Sequence, residues 1–370
     1  MKRQISLIFT LAILVTVIIF AGCGKNGDDP DVTDLVISTR WTAMTDSETR
    51  TISAVAYDSD GAVKADMEWS SSNPSVATVS GGIISASSAG TALITASAGG
   101  VSSEPCTLQV ADEWILYSDS IGLRVITPDN EIDHAIPGTY PAVGPMLWHR
   151  DGIIYEAEAL HSFSYLYFKP FDTESSVFVF DGYVEPISDM RFSNDGEILL
   201  TKYLSYSFYK FPGPTGLSSS IDNYVDFTVS NVDLREFDVS PSGGGMIVDA
   251  STPVGPRMFF ISSDGVPGDT LLTTSGKCPR FSPDGSTIAY INTGRIWLAD
   301  VATLIAEEFI SEGSSIEGLC WAPDGDDIAI CVRNVLGKYE MWLGNISTGV
   351  SEKLTNARPS KEGYFPQWVD

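Results

Sequence analysis

Between Asp34 and Val110, apolar and polar positions alternate in short runs, and no run has helical spacing. Seven such runs are legible: Leu35–Ile37, Thr51–Tyr57, Met67–Trp69, Val76–Val79, Ile83–Ala86, Thr91–Ala96 and Thr107–Val110. Period-two alternation broken by turns such as Asp58-Ser59-Asp60-Gly61 predicts strands that bury one face. Seven of them in about 77 residues predict a small β-sandwich.

From Trp114 onward a different pattern governs. Its clearest instance is Arg280-Phe281-Ser282-Pro283-Asp284-Gly285 followed by Ile288-Ala289-Tyr290, a strand, a tight turn and a second strand. Proline presets φ at the second turn position, aspartate suits the third, and glycine adopts the left-handed conformation that returns the chain antiparallel. The motif echoes at Leu147–Gly152, Arg191–Gly196, Asp238–Gly243 and Cys320–Gly325, and once more in Gln367-Trp368-Val369-Asp370. Its large apolar position (Trp148, Phe192, Val239, Phe281, Trp321, Trp368) recurs every ~40–47 residues. Each full echo leads into a second apolar strand, a third with an aromatic run such as Ile296-Trp297-Leu298, and a shorter, more polar fourth such as Glu307–Ile310. A four-stranded unit of this length cannot bury both faces alone, whereas units arranged radially can, as in a β-propeller. Residues 113–370 accommodate six units of about 43 residues. Trp114–Ile136 supplies three strands with no first strand before them, and Tyr364–Trp368 supplies a first strand with nothing after it. The two chain ends are expected to complete one blade and close the ring.

Two resemblances sharpen this picture. Trp69-Ser70-Ser71-Ser72-Asn73-Pro74-Ser75-Val76-Ala77-Thr78-Val79, with Gly82–Ala86 and Ala89–Ala92, closely resembles the bacterial Ig-like domain, group 2. Phe281–Gly285 (FSPDG) and Trp321–Gly325 (WAPDG), each leading into an Ile-Ala strand, resemble the WD40-like PD repeats of TolB-type six-bladed propellers. TolB-like proteins place an α/β domain before the propeller, and here the Ig-like module stands in its place. In that family the repeat residues build turn and blade and are not functional residues. The expected fold class is all-β, an Ig-like β-sandwich followed by a six-bladed β-propeller.

The amino terminus supplies an address. Met1-Lys2-Arg3 precedes an apolar block from Ile5 to Phe20, which leads to Ala21-Gly22-Cys23. This is the grammar of a secretory signal, and the block is too short for a spanning helix of ~20 residues. The ending resembles a bacterial lipobox, with Phe20 where leucine is commoner. That resemblance implies cleavage before Cys23 and acylation of Cys23, which would hold the protein on a membrane. Gly24 after the cysteine points to the outer membrane, at its periplasmic face or at the cell surface. The expected organisation is a lipoprotein signal peptide (1–22), a polar Gly/Asp/Pro-rich tether (23–33), the Ig-like sandwich (34–110) and the propeller (113–370). Only Ala111-Asp112-Glu113 joins the two modules, too little for a flexible linker.

Charge and chemistry narrow the function classes. The chain carries 48 acidic and 22 basic residues, a formal net charge of −26. This argues against nucleic acid or an anionic lipid surface as partner, since both select basic patches. Beyond Cys23, Cys106, Cys278, Cys320 and Cys331 show no C-x-x-C spacing, so neither a zinc site nor a redox motif is indicated. Cys320 and Cys331 flank one expected hairpin and are a candidate bridge. His134, His149 and His161 fall in different strands and loops without metal-ligand spacing, and no G-x-S-x-G elbow is present. Asp58 and Asp60 fit an acidic turn better than a calcium site. The repeat aspartates Asp151, Asp195, Asp284 and Asp324 stand one per turn, where turn chemistry alone places them. One sector is aromatic-rich, around Phe163–Phe168 and Tyr203–Phe211. Tyr165, Tyr167, Tyr206 and Tyr209 suit either packing between blades or a contact surface.

These observations predict a lipid-anchored envelope protein, a monomer without cofactor or metal. Its propeller is expected to bind a protein, peptide or glycan without catalysis. Two alternatives stand beside this. One is a propeller enzyme acting on carbohydrate (lyase or glycosidase), which requires acids with a histidine or arginine converging in the channel. The other is an adhesin working through the Ig-like module.

Overall fold

The computed structural model describes residues 31–158, 164–179, 186–202, 207–211, 222–226, 233–261, 267–272, 276–310, 315–354, 359 and 366–369. Every regular element among them is a strand.

The Ig-like region forms three sheets. Asp34–Ile37, Ala54–Asp58 and Gly61–Val63 make one, and Thr49–Thr51, Ile83–Ala86 and Ala77–Ser80 make another. The third orders Val101–Ser102, Gly90–Ala98, Cys106–Ala111 and Trp41–Thr45, with Glu68–Ser71 also paired to Gly90–Ala98. Met44, Ile52, Val76, Ile84, Ile94, Leu108 and Val110 fill the core, and Trp69 packs against it. Val32 is buried with Leu35, Ala56 and Ala96, and the Thr33 amide donates to the Tyr57 carbonyl at 2.8 Å. The last residues of the expected tether are thus packed onto the sandwich.

Trp41–Thr45 is not among the seven strands expected from sequence. It is buried along its whole length and runs parallel to Cys106–Ala111, with Trp41 opposite Thr107. Met44 points into the sandwich core, while Trp41 and Ala43 enter a cluster shared with the propeller. A strand covered on both faces shows no alternation, which is why a period-two pattern misses it.

The rest of the described chain forms six four-stranded antiparallel sheets. The first strands of sheets one to five are Ala142–His149, Ile187–Phe192, Asp233–Val239, Lys277–Phe281 and Ser315–Trp321. Each is followed outward by the next three strands in chain order. The closing sheet combines both ends of this region: Gln367–Val369 pairs with Trp114–Ser118, which continues into Leu123–Ile126 and Asp133–Ala135. Trp114 stands opposite Val369, Ile115 opposite Trp368 and Leu116 opposite Gln367. The five first strands and Gln367–Val369 neighbour one another in a closed cycle, so the sheets are arranged as a propeller around a channel. Cys320 stands opposite Ala329 and Cys331 opposite Gly318. The two cysteines are therefore diagonal neighbours rather than a facing pair. Both are free thiols, which corrects the candidate bridge.

The modules share one core. Trp41, Ala43 and Ala111 cluster with Trp114, Leu116, Leu123, Met146 and Phe171. The Trp114 indole donates to the Met44 carbonyl at 3.0 Å, and Trp41 stacks on His134 with ring centroids 4.3 Å apart. Arg50 lies with its guanidinium carbon 3.7 Å from the centre of the Phe171 ring. It also donates to Thr42 Oγ1 at 2.7 Å and pairs with Glu48. The Arg40 amide donates to the Glu174 carboxylate. A double Trp41→Ala, Phe171→Ala variant should lose about 3–5 kcal/mol of joint stability per ring removed and split one calorimetric transition into two. A single transition in the variant would contradict the shared core.

Candidate functional site at the propeller channel

The repeat turns form one rim of the channel. In the clearest, the Ser282 carbonyl accepts from the Gly285 amide at 2.8 Å, and Gly285 has φ +74°. Ser282 Oγ donates to Asp284 Oδ1 at 2.6 Å and the Ser286 amide donates to the same oxygen at 3.0 Å. These hydrogen bonds hold the Asp284 carboxyl below its usual range. Asp195 is held down in the same sense by Lys210 and Ser193. Neighbouring turns touch: a Cβ on Gly285 would lie 3.3 Å from Pro241 Cγ, and one on Gly325 would lie 3.6 Å from Pro283 Cδ. Proline and glycine thus fix the turn and also pack it against the next blade. The Asp58 carboxylate accepts from the Asp60 and Gly61 amides, a self-capped acidic turn.

Inside the rim, side chains of one sheet satisfy backbone amides of the next. The Ile187 amide donates to Glu156 at 3.1 Å, Phe237 to Asp189 at 3.1 Å, Phe281 to Asp238 at 2.7 Å and Trp148 to Gln367 Oε1 at 2.5 Å. Asp189 is fully buried and pairs with Arg191 at 2.9 Å and Arg280 at 3.1 Å. Arg280 also donates to the Phe237 and Pro279 carbonyls, and the Trp321 indole donates to the Arg280 carbonyl at 3.1 Å. Burial opposes the Arg280 charge, but Asp189, with Asp238 and Glu236 behind it, more than restores it, so its pKa is raised. Burial pushes the Asp238 carboxyl up despite Arg191 and Arg280 nearby. These charged groups are already committed to joining the second, third and fourth sheets.

Above them opens a cavity of about 330 Å³. It is lined by Val239, Phe281, Trp321 and Trp368, by Pro241, Pro283, Pro323 and Pro366, and by the polar side chains of Arg191, Asp238, Arg280, Ser282 and Gln367. Apolar side chains and polar groups thus share the lining, a mixture typical of a ligand-binding cleft.

Neither of the two described histidines lines this cavity. His134 is stacked on Trp41, and His149 Nδ1 accepts from the Asp151 amide at 3.1 Å; burial lowers both pKa values. His161, Tyr206 and Cys23 lie outside the described residues. Tyr165 and Tyr167 come together in the first sheet. Tyr167 lies opposite Tyr155 and Phe178 across neighbouring strands, and Tyr165 packs on Phe178 with centroids 4.8 Å apart. Tyr209 is one sheet away, against the core that joins the first and second sheets. The aromatic sector therefore does not form one patch of Tyr165, Tyr167 and Tyr209. Among the described residues, no three His, Cys, Asp or Glu side chains are gathered to hold a metal.

Sequence reasoning missed Glu156, Asp189, Asp238, Glu236 and Asp249. Asp238 heads one motif echo, Asp189 and Glu236 each stand three residues before the motif's large apolar position, and Glu156 and Asp249 each stand three residues beyond the residue facing it; the signal was a carboxylate at these positions inside an otherwise apolar strand, as in Met246–Thr252. Burial raises the Asp249 carboxyl to about 8, with Glu236 adding to the shift.

Residues 31–108 match the bacterial Ig-like domain (group 2) family. Among solved structures, TolB from Acinetobacter baumannii is similar with a TM-score of 0.55 and 14% identity, over 76% of this chain and 80% of that one. A chain of a nidogen/laminin complex is similar with a TM-score of 0.55 and 9% identity, over 70% of this chain and 98% of that one. At these identities the likeness is one of fold. None of the curated proteins matches the sequence. The protein is thus all-β, an Ig-like module followed by a TolB-like propeller.

Two outcomes test the buried charges. Asp189→Asn leaves Arg280 short of its partner in the interior and should cost about 3–5 kcal/mol in denaturant unfolding; a loss below about 1 kcal/mol would show that the pair is not structural. Asp249 keeps its proton in the folded state while the unfolded chain loses it above pH ~4. Its contribution is therefore full below pH ~4 and falls until pH about 8. In EDTA-containing buffer, Asp249→Asn should raise Tm by a few degrees at pH 8 and by almost nothing at pH 4. An equal effect at both pH values would count against the buried carboxyl.

Proposed function

We propose that this is a lipid-anchored envelope protein, held through Cys23, whose six-bladed propeller binds an extended peptide segment of another envelope protein without catalysis. The observation that carries this reading is the cavity among the motif turns. Its walls are Val239, Phe281, Trp321 and Trp368, while Asp189, Asp238, Arg191 and Arg280 beneath are bonded to each other and to backbone. Aromatic and proline surfaces offer area at small entropic cost, and the free donors of Arg191 and Gln367 can meet peptide carbonyls. The chain is strongly acidic, which favours a partner segment that is neutral or basic. The carbohydrate-enzyme reading requires acids with a histidine or arginine converging in the channel; Asp238, Arg191 and Arg280 do line the cavity, but they are bonded to one another and to backbone, and His134 and His149 lie elsewhere.

Pro323→Glu alters the rim at one turn position outside the core. Purified acylated protein should retain an envelope polypeptide that this variant loses at least about tenfold, with Tm lowered by no more than a few degrees for the loss of the turn proline. Equal retention by the variant, or binding confined to a glycan array, would overturn the peptide reading. Cys23→Ala should move the protein from the membrane to the soluble fraction, and unchanged membrane retention would contradict the anchor.

A further inference from the structure

A second constellation lies between the third and fourth sheets, apart from the peptide cavity. Bulges interrupt the ladders of three successive first strands, between Leu234 and Phe237, between Lys277 and Arg280, and between Ile316 and Gly318. Glu236 lies within the first of these, Lys277 at the edge of the second and Glu317 within the third. Glu236 accepts from the Cys278 amide in the next sheet. Its Oε2, and Oδ1 of Asp249, are buried with no hydrogen-bond partner; the residues are 9% and 1% exposed. The two carboxyls act on one another electrostatically.

The surrounding charges do not balance them. Lys277 is turned to Glu317, with Nζ 2.7 Å from Oε2, and Arg235 is exposed to solvent. Asp189, Asp233, Glu236, Asp249 and Glu317 together exceed Arg235, Lys277 and Arg280 by two negative charges when all are ionised. An uncompensated buried carboxylate pair is costly unless a cation or a proton accompanies it.

We propose that Glu236 and Asp249 bind a hard divalent cation of the calcium class between the third and fourth sheets. Oxygen donors select a hard ion, and the near-complete burial of both side chains favours a bare ion over a bulkier organic ammonium group. With two carboxylates as side-chain ligands, the remaining positions fall to backbone oxygens and water. Calcium's variable shell accommodates such a set more readily than the strict octahedron of magnesium. The ion would add a second link between the third and fourth sheets, besides the Asp238 contact to the Phe281 amide. This inference does not depend on the peptide reading.

The test uses the full-length protein stripped with EDTA. Restoring millimolar CaCl2 should raise Tm by at least about 3 °C, with a smaller rise in MgCl2. Radiocalcium dialysis should find one ion bound with an affinity above that of the acidic surface. Glu236→Gln and Asp249→Asn, singly and together, should abolish the tight ion and the Tm response while still folding in EDTA. Glu236→Gln keeps an acceptor for the Cys278 amide, and Asp249→Asn replaces a buried carboxyl with a neutral group of the same shape, so either single variant suffices should the double one misfold. Absence of a calcium response in the parent protein, or its persistence in the variants, would overturn the proposal. The first result would leave a proton as the pair's only companion, and the second would assign the ion to surface carboxylates.

Discussion

The innermost strand of a propeller sheet is an edge, and its leftover amide groups face a narrow channel where water is scarce. Each must find an acceptor or carry the cost of a buried, unpaired donor. Here Glu156, Asp189, Asp238 and Gln367 meet that requirement by reaching from one sheet to the amides of Ile187, Phe237, Phe281 and Trp148. The last of these joins the carboxyl-terminal strand to the first sheet, at the seam where the ring is closed by Trp114 and Val369. Carboxylates placed there need countercharge, which brings in Arg191 and Arg280. A backbone requirement therefore explains most of the buried charge in the channel.

That accounting separates architecture from function. Charged groups converging in a channel resemble an active site until their bonds are traced, and here they end on backbone and on each other. What remains uncommitted is the wall and rim of the cavity, apolar and proline-lined, and the Glu236–Asp249 pair deeper between two sheets. The Ig-like module adds a fixed mount: Trp41, Arg50 and Phe171 merge it with the propeller core, so the module orients the propeller rather than merely tethering it.

Much of this was legible in the chain, and the misses have a common cause. Turn chemistry shows wherever it is local, so Ser282-Pro283-Asp284-Gly285 and its echoes marked the turns, and their spacing marked the sheets. The unmatched strands at Trp114 and Trp368 foretold their pairing. Trp41–Thr45 escaped because both its faces are covered and alternation vanishes. Asp189, Asp238 and Glu236 escaped because their partners lie about 40–50 residues away in the neighbouring sheet, and an isolated acid in a strand carries no mark of what it bonds. Tyr165, Tyr167 and Tyr209 stood out by composition, and composition cannot say which side of a sheet an aromatic faces.

The central claim is that the motif-turn end of the channel receives a polypeptide. A photoreactive amino acid placed at Pro323 of the membrane-anchored protein, irradiated in intact cells, tests it most directly. The account predicts crosslinking to one discrete envelope polypeptide, absent when the probe is placed at Val335 on the opposite hairpin end of the fifth sheet. Equal crosslinking from both positions, or none from Pro323, would contradict it.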